Sequence, residues 1–202
     1  MSFKYACFVS YCHGSKDLIN SFVPQFVEAL KDELEAYLDS DVYMDSERLK
    51  PGYRFNEKLA EAICQSVCMI VVYYPRYDEH IYCLREYTAM EILEGKRLSA
   101  SSANGEGLII PIILRGDFEE LPAKIKDRIH YADFRSYTTA SKEIKKDKRF
   151  VPKIQEIAKY INKQYERLKD SVCDDCETFK IPEEGKVTWK LPATFSTPGF
   201  RD

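Results

Sequence analysis

The carboxylate of Glu86 stands on a helical pattern where an apolar side chain is expected. Across residues 82–94, at about 100° per residue with Tyr82 as origin, Leu93 falls at about 20°, Met90 at about 80° and Cys83 at about 100°. Ala89 lies at about 340° and Tyr87 at about 140°, while Arg85, Thr88 and Glu91 take the opposite side. Glu86 falls at about 40°, close to the middle of the apolar arc. An ionised carboxylate there costs several kcal/mol unless it is paired, protonated or turned toward a polar pocket. A small rotation of the helix, or a buried Arg or Lys, would satisfy it without any function. The other reading is chemical, because misplaced ionisable groups concentrate at sites. A single carboxylate can bind hydroxyl groups and stabilise positive charge that develops in a transition state.

The elements that must position Glu86 can be read from hydrophobic periodicity. Short apolar runs at 5–11, 42–44, 67–74 and 108–114, with a weaker one at 131–134, alternate with helical patterns. The run Val67-Cys-Met-Ile-Val-Val-Tyr-Tyr74 contains no charged residue and suits a central strand covered on both faces. Phe22, Phe26, Leu30, Leu34 and Leu38 recur every fourth residue, and Pro24 is expected to kink or delay the start of that helix. Phe55, Leu59, Ala62 and Ile63 mark a second helix, 82–94 a third, and 150–168 a last one. Residues 121–128 read as loop with some helix, and 98–107 as a flexible surface connection. Such alternation predicts an α/β fold with a parallel sheet and right-handed crossovers.

In open parallel sheets, ligands bind beyond the carboxyl ends of the strands where strand order reverses. Glu86 follows the central strand after the loop 75–81 and is placed on that edge. The first two strands end there in Ser10-Tyr11-Cys12-His13-Gly14 and Asp45-Ser46-Glu47-Arg48. Gly14 permits a tight turn, Ser15 or Asp17 can cap the next helix, and the N–H groups of such a turn form a phosphate seat. Pro51-Gly52 suggests a type II turn in a loop able to act as a lid.

Composition excludes several classes. The 30 basic and 33 acidic side chains nearly cancel, which points to neither nucleic acid nor an anionic membrane as partner. The longest apolar run is too short to span a bilayer, and the N-terminus has no charged-then-apolar leader. Seven cysteines, most of them inside strand or helix patterns, predict reduced thiols in a cytoplasmic protein rather than a disulfide framework. Cys12, Cys64 and Cys68 read as core or near-core thiols. Cys173-Asp-Asp-Cys176 has the spacing of a zinc half-site or redox pair, but no second Cys/His pair matches it, so no metal is expected. Lys142 to Arg149 carries five basic residues interrupted by Glu143 and Asp147, and reads as a solvated approach to the last helix. His13 reads as an exposed loop histidine. Neither a Ser-His-Asp pattern nor a Walker loop is present.

These motifs, taken together and in order, resemble the TIR (Toll/interleukin-1 receptor) domain family over roughly residues 4–165. Cys7-Phe-Val-Ser-Tyr11 is similar to that family's opening box. Val42-Tyr-Met-Asp45 with Arg48-Leu-Lys-Pro-Gly52, then Phe55, Leu59, Ala62-Ile63 and Ser66, looks like its second strand, BB loop and following helix. Tyr82-Cys83-Leu84-Arg85-Glu86 is similar to the Trp-Cys-x-x-Glu motif of NAD-consuming members, with Tyr82 in place of the usual Trp. The resemblance implies a flavodoxin-like five-stranded parallel sheet with helices on both faces, in a TIR domain at 1–168 followed by an irregular tail at 169–202.

It further implies NAD glycohydrolase or ADP-ribosyl cyclase activity, with NAD as substrate and no cofactor. By position, Glu86 would hold the nicotinamide-side ribose, Ser10 and Tyr11 would line the cleft, Asp45 and Arg48 would stand at its BB-loop edge, and Tyr82 would supply an aromatic face. Self-association through TIR–TIR contacts and a downstream effector that senses the product are the implied partners. The chain resembles stand-alone prokaryotic TIR proteins of Thoeris-type antiphage defence. A non-catalytic adaptor acting through TIR–TIR assembly is the competing reading, and Glu86 is the feature that separates the two. A receiver domain is disfavoured, because no acidic cluster stands at the first strand's end.

Overall fold

All eight residues of β3, Ser66–Tyr73, are buried, which is why this run shows no polar alternation. The computed structural model describes residues 3–13, 17–44, 53–100, 106–128, 131–140, 143–170, 172 and 174–187, without the side chains of 53–55 and 99–100. Five parallel strands run in the order β2-β1-β3-β4-β5. The others are β1 (Tyr5–Tyr11), β2 (Asp41–Met44), β4 (Ile109–Ile113) and β5 (Ala132–Asp133). The helices are α1 (Asp17–Leu34), α2 (Tyr53–Cys64), α3 (Ile81–Ala100), α4 (Ala123–Lys126) and α5 (Val151–Leu168).

The chain steps one way along the sheet from β1 to β2, then the other way from β2 through β5. Right-handed crossovers therefore place α1 on one face and α2 and α3 on the other. The packing agrees, since α1 lies against α5 and α2 against α3. This is the flavodoxin-like α/β fold expected from the sequence. Among the described residues, no helix is long and apolar enough to cross a membrane.

Pro111 sits inside β4 without costing a ladder bond. Alternate residues of a parallel strand direct both backbone groups to the same neighbour. The Leu114 N–H donates to Tyr73 O, and Leu108 O accepts from Met69 N–H, so the even-numbered residues serve β3. The odd ones face β5, as the bond from Phe134 N–H to Ile113 O shows. Strand β5 begins opposite Ile112, so the N–H that Pro111 lacks would point past its end.

Two local expectations are corrected. Helix α1 begins at Asp17, seven residues before Pro24, so the proline does not delay it. Burial of Ile19, Phe22 and Val23 before the proline, and of Phe26, Val27 and Leu30 after it, outweighs one missing bond. Helix α3 extends to Ala100, taking in residues assigned to a surface connection.

Arg97 explains the extension. Its guanidinium is fully buried and donates to Cys64 O at 2.6 Å, Ser66 O at 2.8 Å and Val67 O at 3.3 Å. It thereby ties the end of α2 and the start of β3 to the last turns of α3. Asp174 completes the cage at 2.8 Å. Burial lowers the Arg97 pKa, and the Asp174 carboxylate opposes that shift.

Asp174 belongs to the segment after α5, which carries a second anchor. Cys176 forms a disulfide with Cys64. The reading of Cys64 as a thiol is thus corrected, and Cys176 is not half of a thiolate pair; Cys173 lies outside the described residues. Spacing could not reveal this bond because its two cysteines are 112 residues apart. Cys7, Cys12, Cys68 and Cys83 are buried thiols. Further along, Ile181 and Pro182 are buried, and Arg85 Nε of α3 donates to Pro182 O at 2.8 Å. The segment therefore spans α3 from its last turns to its first.

A cross-link that closes so long a loop restricts the unfolded chain strongly. Cys176→Ser is expected to lower unfolding stability by about 2–4 kcal/mol. It should also speed proteolysis after α5. Urea unfolding and limited digestion, each with and without reductant, check both; an oxidised wild type no more stable than the variant would contradict the staple.

Candidate functional site

Strand order reverses between β1 and β3, so the loops leaving their carboxyl ends diverge and open a crevice. Ser10 is the penultimate residue of β1 and Glu86 the sixth of α3, the helix that follows β3. The structure brings them together: Ser10 Oγ donates to Glu86 Oε2 at 2.6 Å. That length belongs to the range of a hydroxyl bonded to an ionised carboxylate. Glu86 is 8 % exposed and Ser10 1 %. Behind Ser10 lies Tyr77, fully buried in the short 3-10 turn Tyr77–Glu79 between β3 and α3. Its hydroxyl is 2.7 Å from Ser10 Oγ and 3.3 Å from Cys83 O. Burial pushes the Tyr77 phenol well above its ordinary pKa, and the neighbouring Cys83 and Glu86 add to the shift, so it stays protonated.

The loop holding Tyr77 is tied to the end of β1. Tyr74 Oη donates to Cys12 O at 3.4 Å, and the Cys12 thiol points at Arg76 O at 3.9 Å. Tyr11 ends β1 with its ring 4.3 Å from that of His13. His13 is half-buried rather than the exposed loop histidine expected. Tyr82 is 47 % exposed, and its ring lies 5.6 Å from the Arg85 guanidinium. The apolar arc that began at Tyr82 is therefore displaced. Tyr87 and Thr88 are buried as well, with Tyr87 Oη donating to Lys124 O of α4 at 2.7 Å and Thr88 Oγ1 to Leu84 O at 2.8 Å. Helix α3 is covered by the sheet, by α4 and by the C-terminal segment, so more of its circumference is buried than one stripe predicts. Asp45 and Arg48, with Gly14, Ser15 and the Pro51-Gly52 turn, lie outside the described residues. Tyr77 was missed because a tyrosine in a seven-residue loop carries no periodic signal.

An open parallel α/β sheet with a buried carboxylate at its topological switch point defines the class: a flavodoxin-like domain with a candidate site at β1/β3. Residues 7–148 match the TIR domain family, and the chain belongs to it. That family includes signalling modules and NAD-cleaving members, and its domains generally self-associate. No curated protein matches the chain significantly.

Asp78, next to Tyr77, is 6 % exposed, and its Oδ1 has no hydrogen-bond partner among the described residues. Burial raises its pKa above the ordinary carboxylate value, and Glu79 adds to the shift. The folded state then holds this proton more tightly than the unfolded one. Stability from this group is greatest below the ordinary carboxylate range and falls as pH rises through the raised value. Asp78→Asn is expected to be more stable than wild type at pH 7 by about 1 kcal/mol. The gain should vanish at about pH 3, below the ordinary carboxylate pKa. Urea midpoints at the two pH values check the sign.

Proposed function

We propose that the protein cleaves NAD at the nicotinamide–ribose bond, with Glu86 as the essential carboxylate. The observation that carries this reading is the 2.6 Å bond from Ser10 to a nearly buried Glu86 at the β1/β3 crevice. Holding a desolvated carboxylate there costs several kcal/mol, which an adaptor surface has no reason to bear.

The chemistry needs one carboxylate only. Ordinary glycosidases use a pair because the departing oxygen must be protonated. Nicotinamide in NAD is a pyridinium and leaves as a neutral molecule when the C–N bond breaks, the bonding pair going to nitrogen. Positive charge grows at the anomeric carbon, and a preorganised carboxylate stabilises it. Water completes the reaction to ADP-ribose and one proton; an internal nucleophile of the same molecule gives a cyclic isomer instead. In this reading Glu86 binds the ribose, Ser10 orients Glu86, and Tyr11 lines the cleft. Tyr82, exposed at the start of α3, offers a ring to the substrate, and Asp45 and Arg48 border it. NAD is substrate, and no cofactor takes part.

The broader role proposed rests on the resemblance to stand-alone prokaryotic TIR proteins. TIR–TIR contacts assemble the enzyme, and the product acts on a downstream effector in antiphage defence of the Thoeris type.

Purified protein at high concentration should release nicotinamide from NAD, and Glu86→Gln should lower the rate by about a hundredfold or more. Chromatography with mass detection reads both products. Equal rates in the two proteins would remove Glu86 from the mechanism. No turnover by wild type, even when crowded, would favour the adaptor.

A further inference from the structure

The hydrogen-bond geometry points to Tyr77 as a positioning residue: its phenol donates to Ser10 Oγ and so commits the serine's only proton to Glu86. This deepens the proposed function and rests on it for its kinetic consequence, but the proton arrangement stands on the geometry alone.

Proton counting makes the argument. Three oxygens lie in a row, Tyr77 Oη, Ser10 Oγ and Glu86 Oε2, separated by 2.7 and 2.6 Å. A serine hydroxyl has one hydrogen and two lone pairs, a phenol one hydrogen, and an ionised carboxylate none. With the serine hydrogen directed at Glu86, the hydrogen between Ser10 and Tyr77 belongs to Tyr77. Cys83 O competes for it at 3.3 Å, a longer and weaker contact than the one to Ser10. Donation into Ser10 Oγ polarises its O–H and strengthens the next bond in the chain. Burial maintains the order, since Tyr77 and Ser10 are essentially inaccessible and the phenol does not ionise near neutrality.

Glu86 therefore receives a hydrogen bond whose direction is set before substrate arrives. That preorganisation matters where charge develops, in the transition state, and not in ground-state binding. Without the Tyr77 hydroxyl, the serine could turn its proton elsewhere and leave the carboxylate less firmly placed. Tyr77 need not touch substrate, and its effect on Glu86 passes through Ser10.

Two measurements test this. Neutron diffraction from a deuterated crystal locates the protons directly. The expected map has the Tyr77 deuteron between Oη and Ser10 Oγ, and the serine deuteron directed at Glu86. A Tyr77 deuteron aimed at Cys83 O, with the serine donating to the phenol, would overturn the inference whatever the enzyme does. The second measurement is kinetic. Tyr77→Phe keeps the ring and is expected to lower kcat roughly tenfold with KM nearly unchanged, about the effect of one neutral hydrogen bond. In a Ser10→Ala background the same change should have no further effect on kcat, because the relay is already broken. Additive losses, or a change confined to KM, would reject the relay. An inactive wild type with the expected neutron map would reject the NAD reading and leave the proton order standing.

Discussion

A parallel sheet in which the chain reverses its lateral direction must leave a place that crossover loops do not cover. Here that place is fixed by β2 and β3 lying on opposite sides of β1. The loop after β1 leaves toward one face and the loop after β3 toward the other. Between them the strand ends are open, and groups from β1 and α3 can face a common ligand. Ser10 and Glu86, far apart in sequence, meet at 2.6 Å only because of this arrangement. The alternate pointing of side chains along β1 then determines which of its last residues reaches the helix. Tyr77 occupies the turn that the same divergence requires between β3 and α3.

The two edges of the sheet treat buried charge differently, and the contrast separates scaffold from site. At the amino edge, Arg97 is enclosed by three main-chain carbonyls and Asp174, all supplied by the protein itself. Its role is to bind α2, β3, α3 and the C-terminal segment into one unit. At the carboxyl edge, Glu86 retains slight exposure and takes a hydroxyl bond from Ser10. Replacing either charge with an apolar residue of similar volume can be favourable in general, so neither is explained by stability alone. Arg97 is explained by the number of separate segments it joins.

Periodicity made the sheet legible because each strand obeys one local rule. The polar-free run at 67–74 announced the covered strand, and the spacing of Phe22, Phe26 and Leu30 announced α1. Glu86 was visible as an anomaly for the same reason: an apolar arc makes a misplaced carboxylate conspicuous. What was not legible depended on contacts between distant segments. The full enclosure of α3 comes from α4 and from residues near Pro182, so Thr88 is buried against the wheel's prediction. The Cys64–Cys176 bond joins elements that no local pattern connects. Tyr77 lies in a turn, where no period exists to depart from.

The C-terminal segment shows why the site cannot be considered apart from the rest of the chain. Helix α3 carries Glu86 near its start and Arg97 near its end, and the segment after α5 holds both regions, through Pro182 and Asp174. A carboxylate acting by preorganisation requires its helix to keep a fixed position to within a fraction of an ångström. The sheet supplies one wall of that constraint, and α4 supplies another through Lys124. The third wall is a segment with no regular strand among its described residues, too irregular to hold its place by backbone pairing of its own. The disulfide and the Arg97–Asp174 pair solve that problem by anchoring it at the amino edge, from which it runs along α3 to the turn beside Glu86. Long-range anchors of this kind are how an irregular segment becomes part of a rigid wall.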